Sequence, residues 1–215
     1  MKTLVLKVDP SNPENGIVEQ AGAAIRRGEL VAFPTETVYG LGADAFNMEA
    51  VARIYEVKGR PENNPLPVQV ARKEDIQKVA FEIPEIALRL VDKYFPGPLT
   101  LVLRASPNLP YLVTAGTGKV GIRIPNHPVA QKLIKASGTP IVAPSANISG
   151  EPPPTSADEV LAYLDGRINI LLDAGHTILK ESSTVIDMTK TPPKIIREGS
   201  IRAKELADIF KEYSI

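Results

Sequence analysis

Two cations two residues apart, Lys58 and Arg60 in VKGRPENNPLPVQV, are the first feature of this sequence with the makings of chemistry. Lysine supplies a point charge and arginine a planar fork, so the pair suits a polyphosphate, and Pro61 and Pro65 stiffen the chain that leaves it. The same two side chains would also serve to complement a helix C-terminus or to face water. Ser145, Asn147 and Ser149 follow a short apolar run in TPIVAPSANISGEPPP. Hydroxyls and amides in a tight turn bind a carboxylate or phosphate, or else satisfy the turn's own backbone. In KVGIRIP the alternation puts Val120, Ile122 and Ile124 on one face and Arg123 on the other. An arginine in mid-strand needs an anionic partner, either an Asp or Glu of the protein or a ligand. Arg197 in IIREGSI leaves an apolar run in the same way, just before Gly199.

The stretch FPTETVYGLG, Phe33 to Gly42, adds hydrogen-bonding groups to these charges. Pro34 ends a strand's hydrogen-bond ladder, Thr35, Glu36 and Thr37 offer side-chain donors and acceptors, and Gly40 and Gly42 permit close approach. Read as a loop leaving the C-terminal end of a buried strand, it occupies the place where open α/β sheets gather ligands. Without a ligand it would be a polar strand-to-helix turn with two glycines.

Several chemistries are excluded. AGTGKVG is not a P-loop, because Val120 follows Lys119 where Ser or Thr is required. His127 and His176 have no metal-ligand spacing, and His127 before Pro128 reads as a helix-capping or surface residue, so no metal ligands are expected. Ser145 lacks both a nucleophile elbow and a histidine partner. The chain contains no cysteine, which removes disulfides and thiolate nucleophiles and fits a reducing compartment.

The elements that must position these groups alternate along the chain. Helices are expected after Asn12 as far as Arg27, from Asn47 to Lys58 with Gly59 as the stop, and over Pro84–Tyr94, Pro128–Ser137, Ala157–Leu164 and Arg202–Tyr213. Ser156 and Glu159 form a capping box for the fifth of these. Strands are expected at Leu30–Phe33, Leu66–Val70, Leu99–Leu103, Val120–Ile124, Pro140–Ala143, Ile168–Leu172 and Thr184–Asp187. The pattern is that of an α/β or mixed α+β sheet. At 215 residues, with GEPPPTS at Gly150–Ser156 too short to act as a linker, a single domain over 1–215 is expected. Lys and Arg total 25, as do Asp and Glu, so no global field draws in nucleic acid or an anionic membrane, and any anion site must be local. The N-terminus lacks a signal-peptide apolar run and no apolar stretch spans a membrane, which predicts a cytoplasmic protein.

Taken in order, PTETVYGLGADAF, KGRPENNPLPV, FPGPLTLVL, VGIRIPNHP, PIVAPSANISG, SSTVID and IIREG resemble the YrdC-type threonylcarbamoyl-AMP synthases from about Val31 to Gly199. The resemblance implies a twisted, open sheet of the YrdC type with helices around it and a concave basic cavity. It also implies synthesis of threonylcarbamoyl-AMP and pyrophosphate from L-threonine, bicarbonate and ATP with Mg2+. A downstream transferase would then modify the adenosine beside the anticodon of tRNA, with weak tRNA binding by this chain an open option. By matching motifs, Thr35, Arg123 and Ser183 would contact threonine, Lys58 and Arg60 would hold the ATP phosphates, and Ser145, Asn147 and Arg197 would bind the nucleotide. Gln69 departs from the family, where many members read PLxVHV; it keeps a polar contact in the threonine pocket but cannot titrate. Longer relatives carry a further C-terminal domain, and this chain is expected to be the synthase domain alone. The rivals are a non-catalytic RNA-binding module, for which zero net charge and 5% aromatics are poor material, and a carbamoyl-transfer domain of the hydrogenase-maturation kind.

Overall fold

A computed structural model describes residues 2–211. In chain order the elements are β1 (Leu4–Lys7), α1 (Asn15–Arg26), β2 (Val31–Phe33), β3 (Gly40–Asp44), α2 (Met48–Lys58), β4 (Val68–Gln69), α3 (Glu85–Tyr94), β5 (Leu99–Arg104) and α4 (Tyr111–Thr114). They continue with β6 (Lys119–Arg123), α5 (Pro128–Ser137), β7 (Ile141–Val142), α6 (Ala157–Leu164), β8 (Ile170–Asp173), β9 (Thr184–Asp187), β10 (Lys194–Arg197) and α7 (Ala203–Lys211). The strands form one mixed sheet in the order β1-β8-β2-β3-β7-β4-β6-β5-β9-β10. No described helix is long and apolar enough to cross a membrane.

Local chemistry sets the helix ends. Asn47 accepts from the Ala50 N–H at the start of α2, and Gly59 takes the left-handed conformation that stops it. Nδ1 of His127 accepts from the Val129 N–H and caps α5, the helix-capping role expected for it. Ser156 caps α6, but Glu159 reaches past it to the Thr155 N–H, so the reciprocal half of the box sits one residue earlier. The expected start of α1 is corrected: Asn12 belongs to a turn around Asp9, whose carboxylate accepts the N–H groups of Ser11 and Asn12, and the helix begins only at Asn15. Of the helix expected to end at Tyr213, α7 accounts for Ala203 to Lys211, and Glu212 and Tyr213 lie outside the described residues.

A larger correction concerns Phe33–Gly42. The chain does not pass from β2 into a helix; it turns back as β3, antiparallel to β2, with Phe33 opposite Gly40 and Val31 opposite Gly42. The two glycines make room for an aromatic ring, since a Cβ on Gly42 would meet Cε1 of Phe33 at 3.0 Å and one on Gly40 its Cζ at 3.3 Å. A run holding two glycines and a single alternation does not look like a strand, which is why it reads as a loop.

The core divides according to the pleat. Leu99, Leu101, Leu103, Val120, Ile122, Val68 and Ile186 point to one face, where they join α2, α3, α6 and α7 in the main apolar cluster. On the opposite face, α1 and α5 pack on Val31, Phe33, Ile141, Ala143, Ile170 and Leu172, covering the β8-β2-β3-β7 part of the sheet. Along β4, β6, β5 and β9 that same face instead lines a cavity.

Candidate functional site

The cavity encloses about 500 Å³. Its floor is made by alternate residues: Pro67 and Gln69 near β4, Lys119, Gly121 and Arg123 of β6, Thr100 and Val102 of β5, and Ser183, Val185 and Asp187 along β9. Register aligns them, with Gln69 beside Arg123 and with Gly121, Val102 and Asp187 in one row across three strands. Gly121 keeps the middle of the floor low, because a Cβ there would meet Cγ2 of Thr100 at 3.1 Å. The walls come from the β2–β3 turn (Thr35, Thr37, Val38), from Arg60 and Leu66 after α2, from Pro144 and Ser145, and from Ile196 and Arg197 of β10. Arg60, Lys119, Arg123 and Arg197 make the lining cationic, with Asp187 as the lining carboxylate, in a chain of zero net charge. The positive charge is gathered locally, in the manner an anion site would need in such a chain.

At one end of this trough, Arg123 makes two hydrogen bonds and a buried ion pair, whose Nη2 and Glu36 oxygens have no hydrogen-bond partner. Its Nε donates to the Gly97 carbonyl at 3.1 Å, Nη1 donates to Thr37 Oγ1 at 2.8 Å, and Nη2 lies 2.7 Å from Glu36 Oε2. The side chains of both ion-pair partners are almost completely buried. The anion that the strand pattern demanded is therefore present in the protein, although the guanidinium still borders the cavity. Thr35 Oγ1 donates to the Val38 carbonyl and lies 2.8 Å from Thr37 Oγ1, tying the turn together beside the arginine. Gln69 lines the same end, and its Oε1 is buried without a hydrogen-bond partner. Such an acceptor is costly unless a donor comes to it.

Ser183 and Arg197 form the next cluster. Arg197 donates from Nε and Nη2 to the Ser183 carbonyl at 3.1 and 2.9 Å, while Ser183 Oγ lies 2.8 Å from Thr100 Oγ1. Burial, reinforced by the charge of Arg123, holds the Arg197 guanidinium below its ordinary pKa. Arg60 is fixed by Asn64 and the Pro65 carbonyl, both at 2.8 Å from Nη2, and burial likewise lowers its pKa.

Lys58 and Asn147 stand behind the wall. Lys58, for which facing water was one expectation, is only 1% exposed, and its Nζ donates to the carbonyls of Ser145 and Asn147 at 2.5 Å each. It is the last residue of α2, so the helix end aims it into the Ser145 turn. Burial, and then the charge of Arg60, pulls its pKa down to about 7. Asn147 donates to the carbonyls of Ile148 and Glu151, satisfying the backbone of its own turn. Of the nine residues given ligand contacts with the resemblance, Thr35, Arg60, Gln69, Arg123, Ser145, Ser183 and Arg197 line the cavity, whereas Lys58 and Asn147 support it.

Sequence reasoning missed the far end. There Lys119 Nζ lies 3.0 Å from Asp187 Oδ2, and Asp187 Oδ1 accepts from both the N–H and the Oγ1 of Thr189. Burial pushes the Asp187 carboxyl up, but Thr189 and Lys119 outweigh it and hold the group below its ordinary pKa. The signal was in the alternation: Lys119 and Arg123 share a strand face, as do Ser183 and Asp187. Glu36 was visible as a polar group, but nothing nearby in sequence pairs it with Arg123.

This fold and cavity define a family, and the chain belongs to it: the Sua5/YciO/YrdC family model, described as telomere recombination, matches residues 23–199. Over 91% of its length the chain is 49% identical to the threonylcarbamoyl-AMP synthase of Pyrococcus abyssi (strain GE5 / Orsay), covering 57% of that protein. Over 90% of its length it is 47% identical to the threonylcarbamoyl-AMP synthase of Bacillus subtilis (strain 168), covering 56% of it. The fold superposes with a TM-score of 0.94 on the crystal structure of P. abyssi Sua5 complexed with L-threonine, at 46% identity over 96% of this chain and 61% of that one. The chain thus spans a little over half the length of these relatives.

Proposed function

We propose that this chain condenses L-threonine, bicarbonate and ATP into threonylcarbamoyl-AMP and pyrophosphate. The observation that carries the reading is the cavity itself: four cationic side chains beside hydroxyls and an unpaired buried amide oxygen, in a chain whose relatives bear that activity in their names. Threonine's amine adds to bicarbonate with loss of water to give a carbamate, whose oxygen attacks the α-phosphorus as pyrophosphate leaves. Charge builds on phosphoryl oxygens, so the reaction needs positioned cations more than a nucleophile.

Arg60, Arg197 and Ser145 are proposed to meet the phosphates, with Lys58 fixing the Ser145 turn from behind. Thr35, Gln69, Arg123 and Ser183 are proposed to hold threonine, the Gln69 oxygen taking its amine. Among the described residues no cluster of carboxylates and histidines could cage a metal ion. Mg2+ would therefore enter on the ATP phosphates with its own waters. The product is proposed to pass in the cytoplasm to a transferase acting on tRNA, with any tRNA contact by this chain weak.

The test is pyrophosphate release by the purified chain. Release from MgATP that requires both threonine and bicarbonate, with no RNA, supports the reading. Release that RNA alone drives would overturn it in favour of an RNA-dependent activity.

A further inference from the structure

We propose that the Lys119–Asp187 pair reads the edge of a purine base, and that it favours a 6-amino purine. This deepens, and rests on, the reading of the cavity as a nucleotide site. Three observations lead to it. Asp187 is a carboxylate lining the cavity, and a like charge there repels phosphate, so the polyphosphate belongs at Arg60 and Arg197, whose described partners are carbonyl, amide and hydroxyl oxygens and not carboxylates. The lining beside the pair is apolar and suited to a flat ring: Val102 and Gly121 share its row across the floor, Val185 stands two residues along its strand, and Pro67 and Ile196 line the same cavity. Finally, the hydrogen-bonding capacity is divided. Asp187 Oδ1 is saturated by Thr189, while Oδ2 accepts only from Lys119 and keeps a lone pair free. Lys119 spends one of its three N–H groups on that carboxylate.

The pair therefore offers one acceptor and one donor side by side. A 6-amino purine matches it by donating N6–H to Oδ2 and accepting at N1 from Nζ. A 6-keto purine presents an acceptor and an N1–H in those places, which sets its O6 against the carboxylate. Lys119 and Arg123 are four residues apart on one strand face, about 13 Å at ~3.3 Å per residue. That length separates a base from the groups reacting near Arg123.

The experiment measures binding of ATP, inosine triphosphate and L-threonine to the wild-type chain and to Asp187→Asn and Lys119→Met by calorimetry with Mg2+. The two triphosphates share sugar and phosphates and differ at C6 and N1. Wild type should prefer ATP by about tenfold or more, the range for a hydrogen bond to a charged group. Asp187→Asn keeps an oxygen for Thr189 and gains an N–H that donates to O6, so the preference should fall to within about threefold with threonine affinity unchanged. Lys119→Met, which leaves Asp187 and its turn in place, should weaken ATP about tenfold and leave threonine alone. Equal wild-type affinity for the two triphosphates, or an undiminished preference in Asp187→Asn, overturns the proposal while sparing the nucleotide reading. Failure of wild type to bind either triphosphate overturns the nucleotide reading and the proposal with it.

Discussion

Two ion pairs stand on one strand face four residues apart, and they are built differently. At the Arg123 end, Nε and Nη1 donate to Gly97 and Thr37 while Nη2 meets Glu36 as an ion pair without hydrogen-bond geometry, and the side chains are 7% and 6% exposed. At the Lys119 end, the lysine side chain is 33% exposed and its ammonium has one described partner. A buried pair fixes position, because losing one member strands the other's charge; a half-open pair keeps capacity for a ligand. One end of the trough is thus positioned by the protein's own contacts, and the other leaves more of its hydrogen-bonding capacity open.

Removing Glu36 should do the most damage. Glu36→Ala leaves Arg123 buried without its counter-charge and should lower unfolding free energy by about 3–5 kcal/mol in chemical denaturation. A loss below about 1 kcal/mol would mean that the two ends do not differ. Next comes Lys58→Ala, which leaves the Ser145 and Asn147 carbonyls without their donor; about 1–3 kcal/mol should be lost, together with activity. An active, equally stable variant would show that the Ser145 turn stands without it. Gly121→Val should cost about 1–3 kcal/mol through overpacking against Thr100 and should block ligand binding across the low floor. The smallest effect is expected of Lys119→Met, within the ~0–1 kcal/mol of a partly exposed pair, so that its consequence falls on the nucleotide alone.

Lys58 also predicts a pH dependence. Its folded pKa of about 7 lies below the ordinary 10.5, so between those values the unfolded chain binds more protons and stability should rise with pH. Measured against Lys58→Met, the wild type's relative stability should climb from about pH 7 towards pH 10 and stay flat below pH 7. A flat difference across the whole range would place the Lys58 pKa at its ordinary value.

Much of this was legible locally. Asn47 to Gly59 carries its own cap and stop, Pro128–Ser137 its own capping histidine, and KVGIRIP its own alternation, so those elements and the cavity face of Arg123 follow from neighbours in sequence. What was not legible depends on distant chain. Gly40–Asp44 is a strand because Phe33 needs room and β7 offers a partner. Leu4–Lys7, an edge strand exposed at Leu4 and Val5, forms on β8, more than 160 residues away. The site divided the same way: seven expected residues do line the cavity, but Lys58 looked exposed because nothing near it announces the two carbonyls that bury it, and Glu36 meets Arg123 only across the folded sheet.

The central claim is that the two ends of the trough serve different ligands, and Arg123→Lys tests it most directly. The substitution keeps the charge and loses the planar fork. Calorimetric titration of threonine and of MgATP into wild type and variant should show threonine weakened by about ten- to a hundredfold, corresponding to roughly 1.5–3 kcal/mol, with ATP affinity unchanged. Unchanged threonine affinity, or an equal loss for both ligands, would contradict the account.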